Sequence, residues 1–276
     1  MHPKALLEQF GYRPKKKFGQ NFLMDAGAAA RIARLTVEGS PPGEPFRVLE
    51  IGPGTGALTH ALLEVHADVS ALDVDPDMVR ILRSREDLQR AHVIEADALT
   101  FDYAQFAGGK RWRVTGNLPY NVATPLIMQF VEMQNGPDAL VVMVQKEVAD
   151  RFAARPGTAA YGSLSVAVQY AMNVEKGFTL RPGSFYPRPK IDSTVVRLTR
   201  RPAPAVEVAD ERRFLQVVRA AFAYRRKTLA NSLSLAIGVP RAAVVQALEQ
   251  IGLDTEIRGE QLALADFARL ADRLSF

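Results

Sequence analysis

Short apolar runs alternate with stretches of helical period over the first two thirds of the chain. Strand-like runs fall at Phe46–Ile51, Val69–Val74, His92–Glu95, Arg111–Thr115 and Ala139–Val144, the last of them apolar throughout. Between them the apolar positions recur at helical spacing. They predict helices from Asp25, as N-cap, to about Val37, then over about Ala57–Val65, Pro76–Arg83, Thr124–Met133, Lys146–Ala154 and Gly162–Met172. Pro76 suits a first helical turn. A strand pair, Asn173–Leu180 and Ser193–Thr199, flanks Phe185-Tyr186-Pro187-Arg188-Pro189. Strands separated by helices imply a doubly wound α/β sheet.

The pattern changes at Thr199-Arg200-Arg201-Pro202-Ala203-Pro204, a proline-rich linker. Beyond it only helical periodicity remains, at about 210–223, 227–236, 240–250 and 264–274. The expected organisation is an α/β domain over 1–201 and a small all-helical domain over 205–276. Residues 1–17 end in Arg13-Pro14-Lys15-Lys16-Lys17 and read as a basic arm without apolar periodicity.

Composition narrows the class. The 276 residues, 47% hydrophobic, suffice for one large domain or for a domain with an appendage. No run of eighteen apolar residues is present, and Met1–Phe10 has no apolar run followed by a cleavage site. Neither a membrane span nor a secretory signal is expected, and the cytoplasm is the expected location. With no cysteine and four histidines that do not group, no disulfide and no metal site are expected. A net charge of +5 favours a polyanionic partner only weakly.

Two stretches carry candidate chemistry. Glu50-Ile51-Gly52-Pro53-Gly54-Thr55-Gly56 joins the first long strand to its helix, where glycines let a ligand approach the backbone and the helix start offers free N–H groups. Gly52-x-Gly54-x-x-Ala57 also fits the dinucleotide fingerprint. Asp73, ending the next strand, suits ribose hydroxyls of either a dinucleotide or S-adenosylmethionine; Asp97 suits an adenine amino group. The second stretch, Gly116-Asn117-Leu118-Pro119-Tyr120, presents an amide, the carbonyl of an X-Pro unit and a flat ring at a strand end. Asn117 and the Leu118 carbonyl can accept from an exocyclic amine while Tyr120 stacks on its base. Glu50 opposes a pyrophosphate but tolerates a sulfonium cation, and an amine grip has no task in hydride transfer. Methyl transfer is the favoured chemistry.

With these residues in place the chain resembles the ribosomal RNA adenine N6,N6-dimethyltransferases, most closely the bacterial small-subunit branch. The likeness runs nearly end to end, through Lys17-Phe18-Gly19-Gln20-Asn21-Phe22-Leu23, the glycine loop, Asn117–Tyr120, Gln145-Lys146-Glu147-Val148-Ala149, Phe185–Lys190 and Ala221–Leu229 with Asn231. Tyr186 and Arg188 depart from the family pattern. The resemblance implies a Rossmann-like class I methyltransferase domain followed by a helical RNA- or ribosome-binding domain. It implies S-adenosylmethionine as cofactor, bordered by Gln20, Asn21, Leu23, Gly52, Gly54, Asp73, Val74, Asp97, Ala98 and Asn117. Asn117, Leu118 and Pro119 would hold the target amine, with Tyr120 and Phe185 lining the target base. The implied substrate is a pair of adjacent adenosines in the 3′-terminal hairpin loop of 16S ribosomal RNA, methylated by a monomer during small-subunit biogenesis.

Lys15, Lys16 and Lys17 together with Arg225, Arg226 and Lys227 are the expected RNA contacts, the second cluster because cations at a helix start oppose its dipole. Two alternatives stay open: an adenine methyltransferase for DNA or large-subunit ribosomal RNA, and a non-catalytic RNA chaperone on the same fold.

Overall fold

The fold, obtained as a computed structural model, is described for residues 3–15, 18–39 and 44–276, with Tyr120 and Asn121 described in backbone only. In chain order, α1 (Pro3–Gln9) and the short strand β1 (Phe22–Leu23) precede α2 (Ala26–Val37), β2 (Phe46–Ile51) and α3 (Ala57–Val65). Then follow β3 (Val69–Asp73), α4 (Pro76–Ser84), β4 (His92–Glu95), α5 (Tyr103–Ala107), β5 (Arg111–Asn117) and α6 (Tyr120–Glu132). The next elements are β6 (Ala139–Gln145), α7 (Lys146–Phe152), α8 (Ser163–Ala171), β7 (Met172–Leu180), β8 (Phe185–Tyr186) and β9 (Ser193–Arg200). Four helices close the chain: α9 (Glu211–Ala221), α10 (Leu229–Ile237), α11 (Arg241–Gln250) and α12 (Leu264–Arg273).

The main sheet has the order β4-β3-β2-β5-β6-β9-β7. Its first five strands run parallel, and β9 lies antiparallel to β6. The chain winds outward from β2 through β3 to β4, then returns to β5 on the other side. That reversal opens a crevice beyond the carboxyl ends of β2 and β5, where ligands of such sheets bind. Strands β1 and β8 form a separate antiparallel pair, with Leu23 opposite Phe185.

Two compact units result, residues 1–149 with 174–200 and residues 150–173 with 201–276. The stretch 150–173, expected with the α/β half, thus clusters with the helical half. Its side chains explain why. The Tyr170 ring lies 4.6 Å from that of Phe214, and the Tyr161 hydroxyl donates to the Leu262 carbonyl at 2.9 Å. The Arg201 amide also donates to the Ala171 carbonyl. Among the described residues no helix is long and apolar enough to cross a membrane.

Local sequence accounts for most boundaries in the α/β unit. Asp25 caps α2 by accepting from the Ala28 amide, and Asp75 caps α4 with Pro76 in its first turn. At the far end of α2, Arg113 of β5 does the corresponding work. Its Nη1 donates to the carbonyls of Thr36 and Glu38 at 2.7 and 2.8 Å, and its guanidinium lies 4.6 Å from the centre of the Phe46 ring. A cation there satisfies terminal carbonyls and opposes the negative end of the helix.

Helix α6 begins at Tyr120 rather than Thr124. Pro125 lies inside it and not in its first turn, so the proline does not mark its start.

Candidate active site

The glycine loop lies where β2 stops. The Gly52 amide donates to the Leu72 carbonyl at 3.0 Å, tying the loop to the end of β3. Gly54 has a φ of +54°, and a Cβ there would come within 2.6 Å of the Phe22 ring. Only glycine combines that backbone with so close a neighbour. Gly116, just before Asn117, lies directly against the Ile51 carbonyl, which brings the ends of β5 and β2 together.

A cleft opens above these ends. It is lined by the glycine loop, Asp73 and Val74 after β3, Asp97 and Ala98 after β4, and Asn117, Leu118 and Pro119 after β5. Its remaining wall is the segment from Phe18 to Phe22, which includes Gln20 and Asn21. Nine of the ten residues expected to border a cofactor thus share one cavity. The tenth, Leu23, borders a small recess behind the glycine loop with Glu50, Asn117 and Met143.

The acids differ in their surroundings. Glu50 is only 1% exposed and accepts from the Thr59 hydroxyl at 2.5 Å. Burial pushes its carboxyl up to about 8, against the pull of Thr59 and with a further push from the charge of Asp73. A cation nearby would favour its ionisation, whereas a pyrophosphate would not. Asp73 is raised to about 6 by burial, although the amide of Asp75 donates to it at 2.9 Å. Asp97 is exposed at the rim and accepts from the Leu99 amide at 2.9 Å, which fixes its rotamer.

The amide of Asn117 is held on its donor side. Its Nδ2 donates to the Asn21 carbonyl at 2.7 Å. With the donor side held in this way, Oδ1 is turned away from Asn21 and remains the acceptor. Leu118 is anchored through its own amide, which donates to the Met143 carbonyl at 3.1 Å. An oriented amide beside an X-Pro carbonyl can hold an exocyclic amine by its hydrogens.

Several expected residues behave differently. Phe185 is 1% exposed and packed in the core beside Leu23, so its ring presents no face to a base. A two-residue strand pairing buries it, which is the ordinary fate of a phenylalanine before a proline turn. Lys15 is not free for RNA: its ammonium binds Asp75 at 2.7 Å and Asp77 at 2.8 Å. Lys16, Lys17 and the Tyr120 side chain lie outside the described residues. Arg225, Arg226 and Lys227 are exposed but lie in the turn before α10, whose N-cap is Thr228, rather than in its first turn. Arg225 donates to the Ala159 carbonyl at 3.3 Å within the same unit.

The sequence reading missed Tyr12 and Asp75, whose hydroxyl and carboxylate meet at 2.6 Å across 63 positions of chain. It also missed Phe18, Phe22 and Val122 as cleft residues. A contact between positions so far apart leaves no local periodicity to find.

Comparisons with known proteins agree with one another. Residues 11–275 match the family model described as Ribosomal RNA adenine dimethylase. The chain is 44% identical to Ribosomal RNA small subunit methyltransferase A of Hahella chejuensis over 267 residues, covering 96% of this chain and 94% of that one. It is 42% identical to the protein of the same name from Streptococcus pneumoniae over 280 residues, covering 98% and 95%. Among solved structures it resembles a dimethyladenosine transferase from Plasmodium falciparum, with a TM-score of 0.74 at 26% identity over 90% of this chain and 95% of that one. It also resembles the 23S rRNA methyltransferase ErmE, with a TM-score of 0.66 at 27% identity over 92% and 99%.

Proposed function

The chain belongs to the ribosomal RNA adenine dimethylase family, and on that premise we propose that it dimethylates N6 of two adjacent adenosines in the 3′-terminal hairpin of 16S ribosomal RNA. In this reading it uses S-adenosylmethionine and acts as a cytoplasmic monomer on the small ribosomal subunit during its biogenesis. The observation that carries the reading is the Asn117 amide, oriented by the Asn21 carbonyl in a cleft that also holds Asp73 and Asp97.

The residues present suit that cofactor. Asp73 would accept from the ribose hydroxyls, Asp97 from the adenine amino group, and exposed Val74 and buried Ala98 would flank the base. The glycine loop leaves room for the methionine part, and Glu50 would ionise in response to its positive charge. S-adenosylmethionine supplies an electrophilic methyl group on a sulfonium.

The protein's task is then to prepare the amine. The N6 lone pair of adenine is delocalised into the ring. Asn117 Oδ1 and the Leu118 carbonyl, accepting from the two hydrogens, turn the amine and localise the pair. Alignment of this kind is worth up to about 7–11 kcal/mol. No strong base is required, because the N6 cation formed is acidic enough to lose its proton to water. The target base must leave its stack to reach the cleft, and Tyr120 is the residue assigned to receive it. Arg225, Arg226 and Lys227 are assigned to the phosphate backbone.

Methyl incorporation tests the reading. Small subunits lacking the modification should accept methyl groups at the paired adenosines, whereas large subunits and DNA should not. Transfer to large subunits or to DNA instead would overturn the substrate. Cofactor binding with no transfer to any of them would favour a binding role.

A further inference from the structure

The segment 18–22 walls the cleft, yet no strand of the main sheet contains it. Besides the Asn117 bond and the pairing of β1 with β8, a set of contacts to α4 fixes it in place. On the apolar side, Phe22 packs in a small core with Leu6, Leu7, Met78 and Ile81. On the polar side, three groups converge on Asp75. The Tyr12 hydroxyl donates to Oδ2 at 2.6 Å, Gln20 Nε2 to Oδ2 at 3.0 Å, and Lys15 Nζ to Oδ1 at 2.7 Å. Tyr12 also reaches Gln20 Oε1 at 2.7 Å, and the Lys15 amide donates to the same oxygen at 2.8 Å. The side chain of Asp75 is 0% exposed. Burial pushes its carboxyl up, but hydrogen bonds from Lys15 and Tyr12 outweigh that and hold it below the ordinary range.

A helix cap alone does not need this investment. Capping α4 uses one Asp75 oxygen, which accepts from the Asp77 amide at 3.2 Å. The remaining contacts all lead to the wall of the cleft, and the Asp75 amide meanwhile donates to Asp73. Asp75 therefore touches both sides of the cleft: Asp73 through its main chain, and Gln20 through its side chain. We propose that Asp75 is a positioning residue for cofactor binding, holding the 18–22 wall against the end of β3 through Tyr12, Lys15 and Gln20. The proposal rests on the cofactor reading given above. It adds that the ion pair with Lys15 serves binding of the cofactor rather than recognition of RNA.

Calorimetry of S-adenosylmethionine with the full chain tests it, without RNA in the cell. Asp75→Asn keeps an acceptor for the helix cap, since the two residues cap equally well. It removes the charge that holds Lys15, and affinity should fall about tenfold, at the low end for a lost hydrogen bond to a charged group. Lys15→Met removes the same pair from its half-buried partner and leaves Asp75 intact. It should weaken binding about three- to fivefold, with Lys15→Arg recovering most of the loss. In Asp75→Asn and Lys15→Met the loss of cofactor affinity should exceed any loss of methylation rate at saturating cofactor, a split that general destabilisation does not produce.

Lys15→Met carries the test if Asp75→Asn does not fold. Parental affinity in Lys15→Met, or a lowered maximal rate at unchanged affinity, would overturn the proposal. A parent chain that fails to bind S-adenosylmethionine would instead overturn the functional reading on which the proposal stands.

Discussion

The ends of β3 and β5 face one cleft with different electrostatics. Around β3 cluster Asp73, Asp75 and Asp77, with Glu50 behind them on β2, and two of these acids have their carboxyls raised by burial. Around β5 stand Asn117, Leu118 and Pro119, without a formal charge. On the proposed reading the charged end would hold its ligand by groups whose desolvation is expensive, so its strength would depend on pH and on ion pairs. On the same reading the neutral end would work by orientation, through an amide held at 2.7 Å and a carbonyl fixed by its proline. One end is suited to affinity and the other to rate.

Mutation can separate the two ends. The largest effect belongs to β5: Asn117→Ala should lower the methylation rate by about 10²–10³, as loss of one positioned transition-state partner does. Cofactor affinity, measured by calorimetry, should barely move. Near-normal turnover would mean that the neutral end does not set the rate. At the other end, Asp73→Ala should weaken S-adenosylmethionine binding by roughly 1.5–3 kcal/mol while largely sparing the rate at saturation. Unchanged affinity in a folded variant would remove Asp73 from the ribose.

Tyr120→Ala extends the neutral end to the base, with an expected loss of roughly 1–3 kcal/mol in base engagement. A fluorescent adenine analogue at the target position reports it, and unaltered unstacking would exclude Tyr120 as the platform. A separate test concerns pH. Glu50 binds its proton more tightly folded, at about 8, than at its ordinary 4.5, so the ligand-free chain should lose stability as pH rises between those values. Expect a fall of roughly 2–4 °C in melting temperature for each 1 kcal/mol involved. Glu50→Gln should flatten that fall. An equally steep decline in the variant would assign it to Asp73 or another group.

The contrast also marks what the sequence could disclose. Asn117, Leu118 and Pro119 are consecutive, and the glycine loop follows a buried strand, so both could be found by local pattern. So could α2 and α4, whose caps Asp25 and Asp75 directly precede them. The wall could not. Helix α1 was hidden because Leu6, Leu7 and Phe10 supply too short an apolar face beside a run of cations. Strands β1 and β8 have two residues each, a single period of alternation. Phe185 looked like a platform only by resemblance, while its burial follows from its pairing with Leu23. Lys15 looked like an RNA contact because its partners lie 60 and 62 positions away.

Arg113 has a mechanical consequence. Strand β5 holds the segment that starts at Asn21 by both ends: Asn117 binds its first carbonyl, and Arg113 binds the carbonyls of Thr36 and Glu38 at its last turn. Four residues of strand separate the two fastenings, a rigid gauge of about 13 Å. Helix α2 must fit that gauge. Deleting one residue from it would shorten it by about 1.5 Å and rotate one end against the other by about 100°. A 2.7 Å hydrogen bond cannot absorb such a displacement. Insertions or deletions in α2, a helix that lines no part of the main cleft, should therefore abolish methyl transfer at temperatures where the chain is still folded.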